Sequence, residues 1–140
     1  PVHRATFAIP LTRDEVEASG RRYGYRLLDR EVVATPGALA LRLGMRGAPR
    51  ALRLEALHEA DGRPWAHEER WINPEAAPGA LEADFAAVSA NEWLVAQVPY
   101  DQVEVGVAAE RATGRVARAL GCDEGEAILV VERVTRSGGR

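Results

Sequence analysis

Three side chains near one short turn carry the chemistry of a small-ligand site: His58, Glu68 and Arg70. A guanidinium offers a two-pronged donor to a carboxylate. A carboxylate accepts from an imidazole or a hydroxyl, and a neutral imidazole can donate or accept. Residues two apart in a strand share a face, so Glu68 and Arg70 point the same way, with Ala66 and Ile72. On the facing strand, Leu52, Leu54, Ala56 and His58 share one face. If the two faces coincide, the polar groups converge beside an apolar floor, which is how a small-molecule pocket is built. The competing reading of Glu68 and Arg70 is an ion pair on a solvated surface, which needs no ligand. His58, close to the turn, is expected to be exposed, and His67, which alternates to the other face, to lie at the surface. Ser89 and Asn91 sit in S-A-N-E, a capping pattern, and read first as cap and first-turn residues. The free N–H groups of that helix start nevertheless favour an anion. Arg133 interrupts an apolar strand and faces either solvent or a polar cavity.

Other chemistries are excluded by their missing motifs. There is no G-x-G-x-x-G, Walker A, H-E-x-x-H, C-x-x-C or G-x-S-x-G pattern. No nucleotide cradle, zinc site or nucleophile elbow is therefore expected, nor any cofactor, and nothing reads as an enzyme. The single cysteine, Cys122, rules out an internal disulfide and suits a reducing cytoplasm. A net charge of -3, with 18 basic residues that are all arginine against 21 acidic, argues against nucleic-acid binding by this chain itself. No run of about 18 apolar residues is present, so no membrane span is expected. Pro1 to Pro10 lacks the basic-then-apolar pattern of a secretory signal.

The elements that must position these groups follow from caps, turns and periodicity. A helix is expected from the capping box Thr12–Glu15 to Gly20, then a strand from Tyr23 to Ala34. Tyr23, Tyr25 and Leu27 occupy one face of that strand before the phase blurs at Leu28. Thr35-Pro36 opens a second helix that Gly44 stops. Strands Ala51–Ala60 and Pro64–Ile72 flank Asp61-Gly62, the strongest hairpin signal in the chain. An Ala- and Pro-rich stretch leads to the Ser89 helix, which Pro99 ends. A strand from Gln102, a helix capped by Thr113, and a strand Ala127–Arg136 complete the order, before a turn at Ser137-Gly138-Gly139. The sum is α+β, with about five or six mostly antiparallel strands sharing a sheet and short helices packed on it.

The chain also repeats itself. Leu43-Gly44 falls on Leu120-Gly121, 77 positions later, and the same shift places Tyr23 on Tyr100, Glu55 on Glu132, Gly62 on Gly139 and Arg63 on Arg140. Two copies at so long a period indicate a duplicated unit rather than a solenoid. The first copy continues into the strand Pro64–Ile72, so a last strand is expected to be missing from the second.

The stretch from Asp61 to Phe85, D-G-R-P-W-A-H-E-E-R-W-I-N-P, followed by S-A-N-E-W-L at Ser89 and L-G-C-D-E-G-E-A-I-L-V-V-E-R-V-T at Leu120, resembles a known family. It is similar to the effector-binding (UTRA) domain of GntR-family transcriptional regulators, in the HutC subgroup of histidine-utilisation repressors. The resemblance implies a chorismate-lyase-like fold with an internal pseudo-duplication. It implies that residues 21–140 form the effector domain, and that residues 1–20 are a linker remnant and short helix. It also implies a preceding winged helix-turn-helix that binds operator DNA, and a homodimer. The Glu of D-G-x-P-x-x-x-E is Glu68, and Arg70 is typical of the subgroup. Ala56 and His58 stand where phosphosugar-sensing relatives carry arginines, which weighs against a phosphosugar. The implied effector is urocanate, with Arg70 and Ser89 at its carboxylate and Glu68 and His58 at its imidazole. Arg133 and Asn91 complete the expected ligand set. The rivals are another small metabolite, a chorismate-lyase-like enzyme, and a dimerisation module without a ligand.

Overall fold

A computed structural model describes residues 11–47, 49–98 and 100–137. His3, the expected linker segment Pro1 to Pro10, the helix stop at Pro99 and the turn at Gly138-Gly139 lie outside the described residues. The elements are α1 (Thr12–Ala18), β1 (Tyr23–Ala34), α2 (Gly37–Arg42), β2 (Arg50–Ala60), β3 (Arg63–Ile72), α3 (Ala90–Gln97), β4 (Gln102–Arg111), α4 (Gly114–Leu120) and β5 (Ala127–Arg136). The order agrees with the sequence reading, and local chemistry explains most boundaries. Ser89 Oγ accepts from the Glu92 N–H and Thr113 Oγ1 from the Val116 N–H, each satisfying a helix donor that has no partner within its helix. Asp61 and Gly62 take φ of 52° and 77°, the left-handed pair a two-residue hairpin demands. Two caps differ from expectation. Thr12 is the first helical residue with Leu11 in the cap position, and Pro36, not Thr35, precedes α2.

The five strands are antiparallel to their neighbours, but they do not share one sheet. β1-β2-β3 form one sheet and β4-β5 another. The division falls between the two copies of the repeat. Asp29 pairs with Glu55 in the first copy, and Gly106 pairs with Glu132 in the second, the same register 77 positions on. The helices cross between copies. From α4, Arg115 Nη2 donates to Glu55 Oε1 at 2.9 Å, and from α2, Arg42 Nη1 donates to Glu132 Oε1 at 2.7 Å. Each half thus reaches the same repeat position on the other half's strand.

The core lies on one face of the three-stranded sheet. Leu52, Leu54 and Ile72 are covered by Ala77, Ala80, Phe85 and Ala90, with Trp93 and Leu94 packed alongside. The Ala- and Pro-rich stretch after Asn73 is therefore a cover rather than a linker. Phe85 meets Trp93 edge-on with centroids 5.5 Å apart. No helix among the described residues is long and apolar enough to cross a membrane.

Candidate functional site

Strand register settles which side chains share a face. Ala66 pairs with His58, Glu68 with Ala56, Arg70 with Leu54 and Ile72 with Leu52. Directly paired residues point to the same side of a sheet. The two faces drawn from the sequence are therefore one face, and His58, Glu68 and Arg70 converge beside the apolar floor of Ala56 and Leu54. β1 adds two residues that site reasoning from the sequence missed. Tyr25 pairs with His58 and Leu27 with Ala56, so Tyr23 and Tyr25 stand on this face too. Their alternation with Leu27 was the available signal, and the antiparallel pairing of β1 with β2 gives it meaning.

The polar groups form a continuous chain. The Tyr23 hydroxyl lies 2.8 Å from His58 Nδ1, and His58 Nε2 lies 3.3 Å from Glu68 Oε1. Arg70 grips the same carboxylate in a fork, Nη2 to Oε1 at 3.1 Å and Nε to Oε2 at 3.3 Å. Tyr25 donates to the Phe85 carbonyl at 2.7 Å, tying β1 to the cover that leads to Ser89. Arg13 of α1 stacks 4.6 Å over the Tyr23 ring, and its Nε donates to Glu92 of α3 at 2.7 Å. Two helix starts therefore border the cluster.

The placement corrects two expectations, for His58 and His67, and sets Arg133 apart from the cluster. His58 is only 2% exposed, because Tyr23 and Tyr25 flank its ring with centroids 5.9 and 5.6 Å away. His67 is on the opposite face as expected but is largely buried, with Nε2 3.6 Å from Glu55 Oε2. Arg133 is exposed on β5, opposite Val105 in the other sheet, and no hydrogen bond or ion pair joins it to the cluster. Ser89 is buried at the start of α3, where it caps the helix. Asn91 lies half-buried in the first turn, and no hydrogen bond links it to the cluster. No group of three or more His, Cys, Asp and Glu among the described residues is arranged to hold a metal ion. A cleft of about 310 Å³ beside α2, lined by Thr35, Ala40 and Met45, contains no titratable side chain.

The electrostatics make Glu68 a permanent acceptor. Burial alone would push its carboxyl up, but the Arg70 charge and the hydrogen bonds from His58 and Arg70 outweigh it and hold the group well below the usual carboxylate range. Burial, reinforced by Glu92 and Glu68, pushes the Tyr23 hydroxyl up to about 12. Burial and then Glu68 do the same for Tyr25, also to about 12. Both hydroxyls therefore remain donors through the neutral range. A lowered carboxyl stabilises the fold above its unfolded value of about 4.3, and that contribution is lost progressively as pH falls toward the native value. Urea unfolding of the wild type and Glu68→Gln should therefore differ most near pH 7, with the gap shrinking only below about pH 4.3. A gap that is constant from pH 7 to 3 would contradict the ionised pairing.

The chain as a whole has known relatives. The profile of the UTRA domain matches residues 18–140. The chain is 29% identical over 134 residues to the histidine utilization repressor of Pseudomonas putida, covering 96% of this chain and 54% of that protein. It thus spans about half the length of the curated relatives it matches. Among solved structures, the C-terminal domain of the histidine utilization repressor from Pseudomonas syringae pv. tomato superposes with a TM-score of 0.76 at 28% identity, over 84% of this chain and 83% of that one. The effector domain of PhnF from Mycobacterium smegmatis gives a TM-score of 0.81 at 19% identity, over 92% of this chain and 80% of that one, and shows a shared fold.

Proposed function

The chain belongs to the UTRA domain family, and from that premise we propose that it is the sensor part of a GntR-type histidine-utilisation repressor whose effector is urocanate. The family is a ligand-binding domain of transcriptional regulators, not an enzyme family. The observation that carries the proposal is the Glu68–Arg70 fork, set beside the apolar side chains of Ala56 and Leu54. Arg70 keeps about a quarter of its side chain exposed, so its guanidinium can take an effector carboxylate without leaving Glu68. Ser89 Oγ uses its lone pair for the cap, and its hydrogen is available to the same carboxylate. Glu68 takes the imidazole end as acceptor. Ala56 is apolar and His58 is enclosed, so neither supplies the cation a phosphate requires.

In this reading residues 21–140 are the effector domain and residues 1–20 lead into it from a winged helix-turn-helix that reads operator DNA. The protein acts in the cytoplasm as a homodimer. The length of the curated relatives, about twice that of this chain, supports the additional parts. Urocanate acts by binding one arrangement of the dimer better than the other, since only differential affinity shifts such an equilibrium.

A ligand that binds only the folded state raises the melting temperature with concentration. Melting is expected to rise with urocanate and not with glucosamine 6-phosphate or chorismate. A rise with the sugar phosphate alone would replace urocanate by a phosphosugar effector. No rise with any of them would support a dimerisation module without a ligand.

A further inference from the structure

His58 is enclosed, and both of its ring nitrogens are already engaged within the protein. Glu68 is held ionised by Arg70, and an ionised carboxylate only accepts, so His58 Nε2 must carry the hydrogen that points at it. In the neutral ring Nδ1 is then a lone pair, and the Tyr23 hydroxyl donates to it. The Tyr23 ring is itself held from above by Arg13, which is anchored on Glu92.

We infer that Tyr23 and His58 are positioning residues for the effector site: Glu68 sets the His58 tautomer, Tyr23 holds the ring in place by donating to Nδ1, His58 in turn fixes the Glu68 carboxylate, and neither ring nitrogen touches the effector. This rests on the reading of Glu68 as an effector-binding group, and it revises the part His58 plays in that reading. The consequence is a division of labour on one face. Arg70 and Glu68 meet the ligand. The pair behind them decides which oxygen of Glu68 stays free: Oε1 takes both His58 and an Arg70 nitrogen, whereas Oε2 takes only one Arg70 nitrogen and keeps acceptor capacity for a ligand N–H.

The experiment is ring nitrogen NMR on the histidine-labelled chain at pH 8, with the His58 signals assigned by through-space contacts to the Tyr23 and Tyr25 rings. Without effector, His58 is expected to show a neutral ring with hydrogen on Nε2. Saturating urocanate should leave that pattern unchanged. Glu68→Gln, whose amide can donate or accept, should mix the two tautomers, whereas Tyr23→Phe should keep the hydrogen on Nε2 and weaken urocanate binding by about five-fold, within the span of one neutral hydrogen bond, while the chain still melts cooperatively. A hydrogen on Nδ1, a doubly protonated ring, or an unchanged pattern in Glu68→Gln would overturn the tautomer lock, and unchanged urocanate affinity in Tyr23→Phe would overturn the positioning role of Tyr23. A His58 pattern altered by urocanate would overturn the claim that neither nitrogen touches the effector. If urocanate fails to bind the wild type, the effector assignment fails by itself, and the pattern of the free chain still decides the lock.

Discussion

Replacing Arg70 by alanine is expected to weaken urocanate binding by about 100-fold, which is about 2.8 kcal/mol at 1.4 kcal/mol per decade. The size follows from two losses on one face. The effector carboxylate loses its forked donor, and Glu68 loses the charge that holds it ionised in a site its burial opposes. Truncating one member of a hydrogen-bonded charge pair costs about 2–5 kcal/mol for this reason. Arg70→Lys should recover only part of the affinity, because an ammonium restores charge without the fork. Arg133→Ala is the internal control. Arg133 is exposed on β5 in the other sheet, so its removal should change affinity by less than about two-fold, within the range of an exposed charge. Equal losses in the two alanine variants, measured by calorimetric titration, would place the ligand somewhere other than the β3 fork.

In the proposed homodimer, Leu129→Glu is expected to raise the dissociation constant by about 100-fold or more. Val105 and Val107 of β4 share one face of the two-stranded sheet with Leu129 and Val131 of β5, and all four are exposed, Leu129 at 72%; Arg133, paired with Val105, is the charged residue on the same face. Positions 77 earlier than Leu129 and Val131 are Leu52 and Leu54, which the first copy buries under Phe85 and its neighbours. The same face is thus core in one copy and open in the other. A two-stranded sheet with an uncovered apolar face is marginal in water, which is why a second copy is expected to cover it. Covering one such side chain contributes about 1.5–3 kcal/mol, so two copies meeting through this face gain enough to pair. A glutamate at position 129 sets an unpaired charge at its centre, at a cost well above the 2.8 kcal/mol that 100-fold requires. Sedimentation should find dimeric wild type and monomeric Leu129→Glu at equal concentration. A wild type that is already monomeric would mean that something else covers the face.

Much of this architecture is legible in the amino-acid order, and the reason differs between elements. Asp61-Gly62 dictates its own turn because both residues tolerate positive φ, and the turn then aligns β3 against β2. The blurred phase at Leu28 has a cause that only pairing reveals. The register slips between Leu27 and Asp29, so Leu28 is the extra residue of a bulge and the alternation restarts beyond it. The repeat was visible as spacing, but the division into two sheets was not, because spacing is silent on which edges meet. His58 was expected outside for its closeness to the turn. It lies inside because the partner strand contributes two tyrosines, and no local rule places their rings across it. His67 is buried for a similar reason. Its face is covered by α4, which comes from the other copy and reaches Glu55 through Arg115 across 60 residues of chain. Arg133 is a candidate because a charge in an apolar strand invites explanation, and the pairing puts it beside Val105 on the open face of the second sheet, away from the cluster.

The central claim is that the face shared by Glu68 and Arg70 binds urocanate, and calorimetric titration of urocanate into the wild-type chain at pH 7 tests it most directly. The expected result is saturable binding at one site per chain, with no saturable heat from glucosamine 6-phosphate under the same conditions. Saturation by the sugar phosphate with none by urocanate, in a chain shown to be folded, would contradict it.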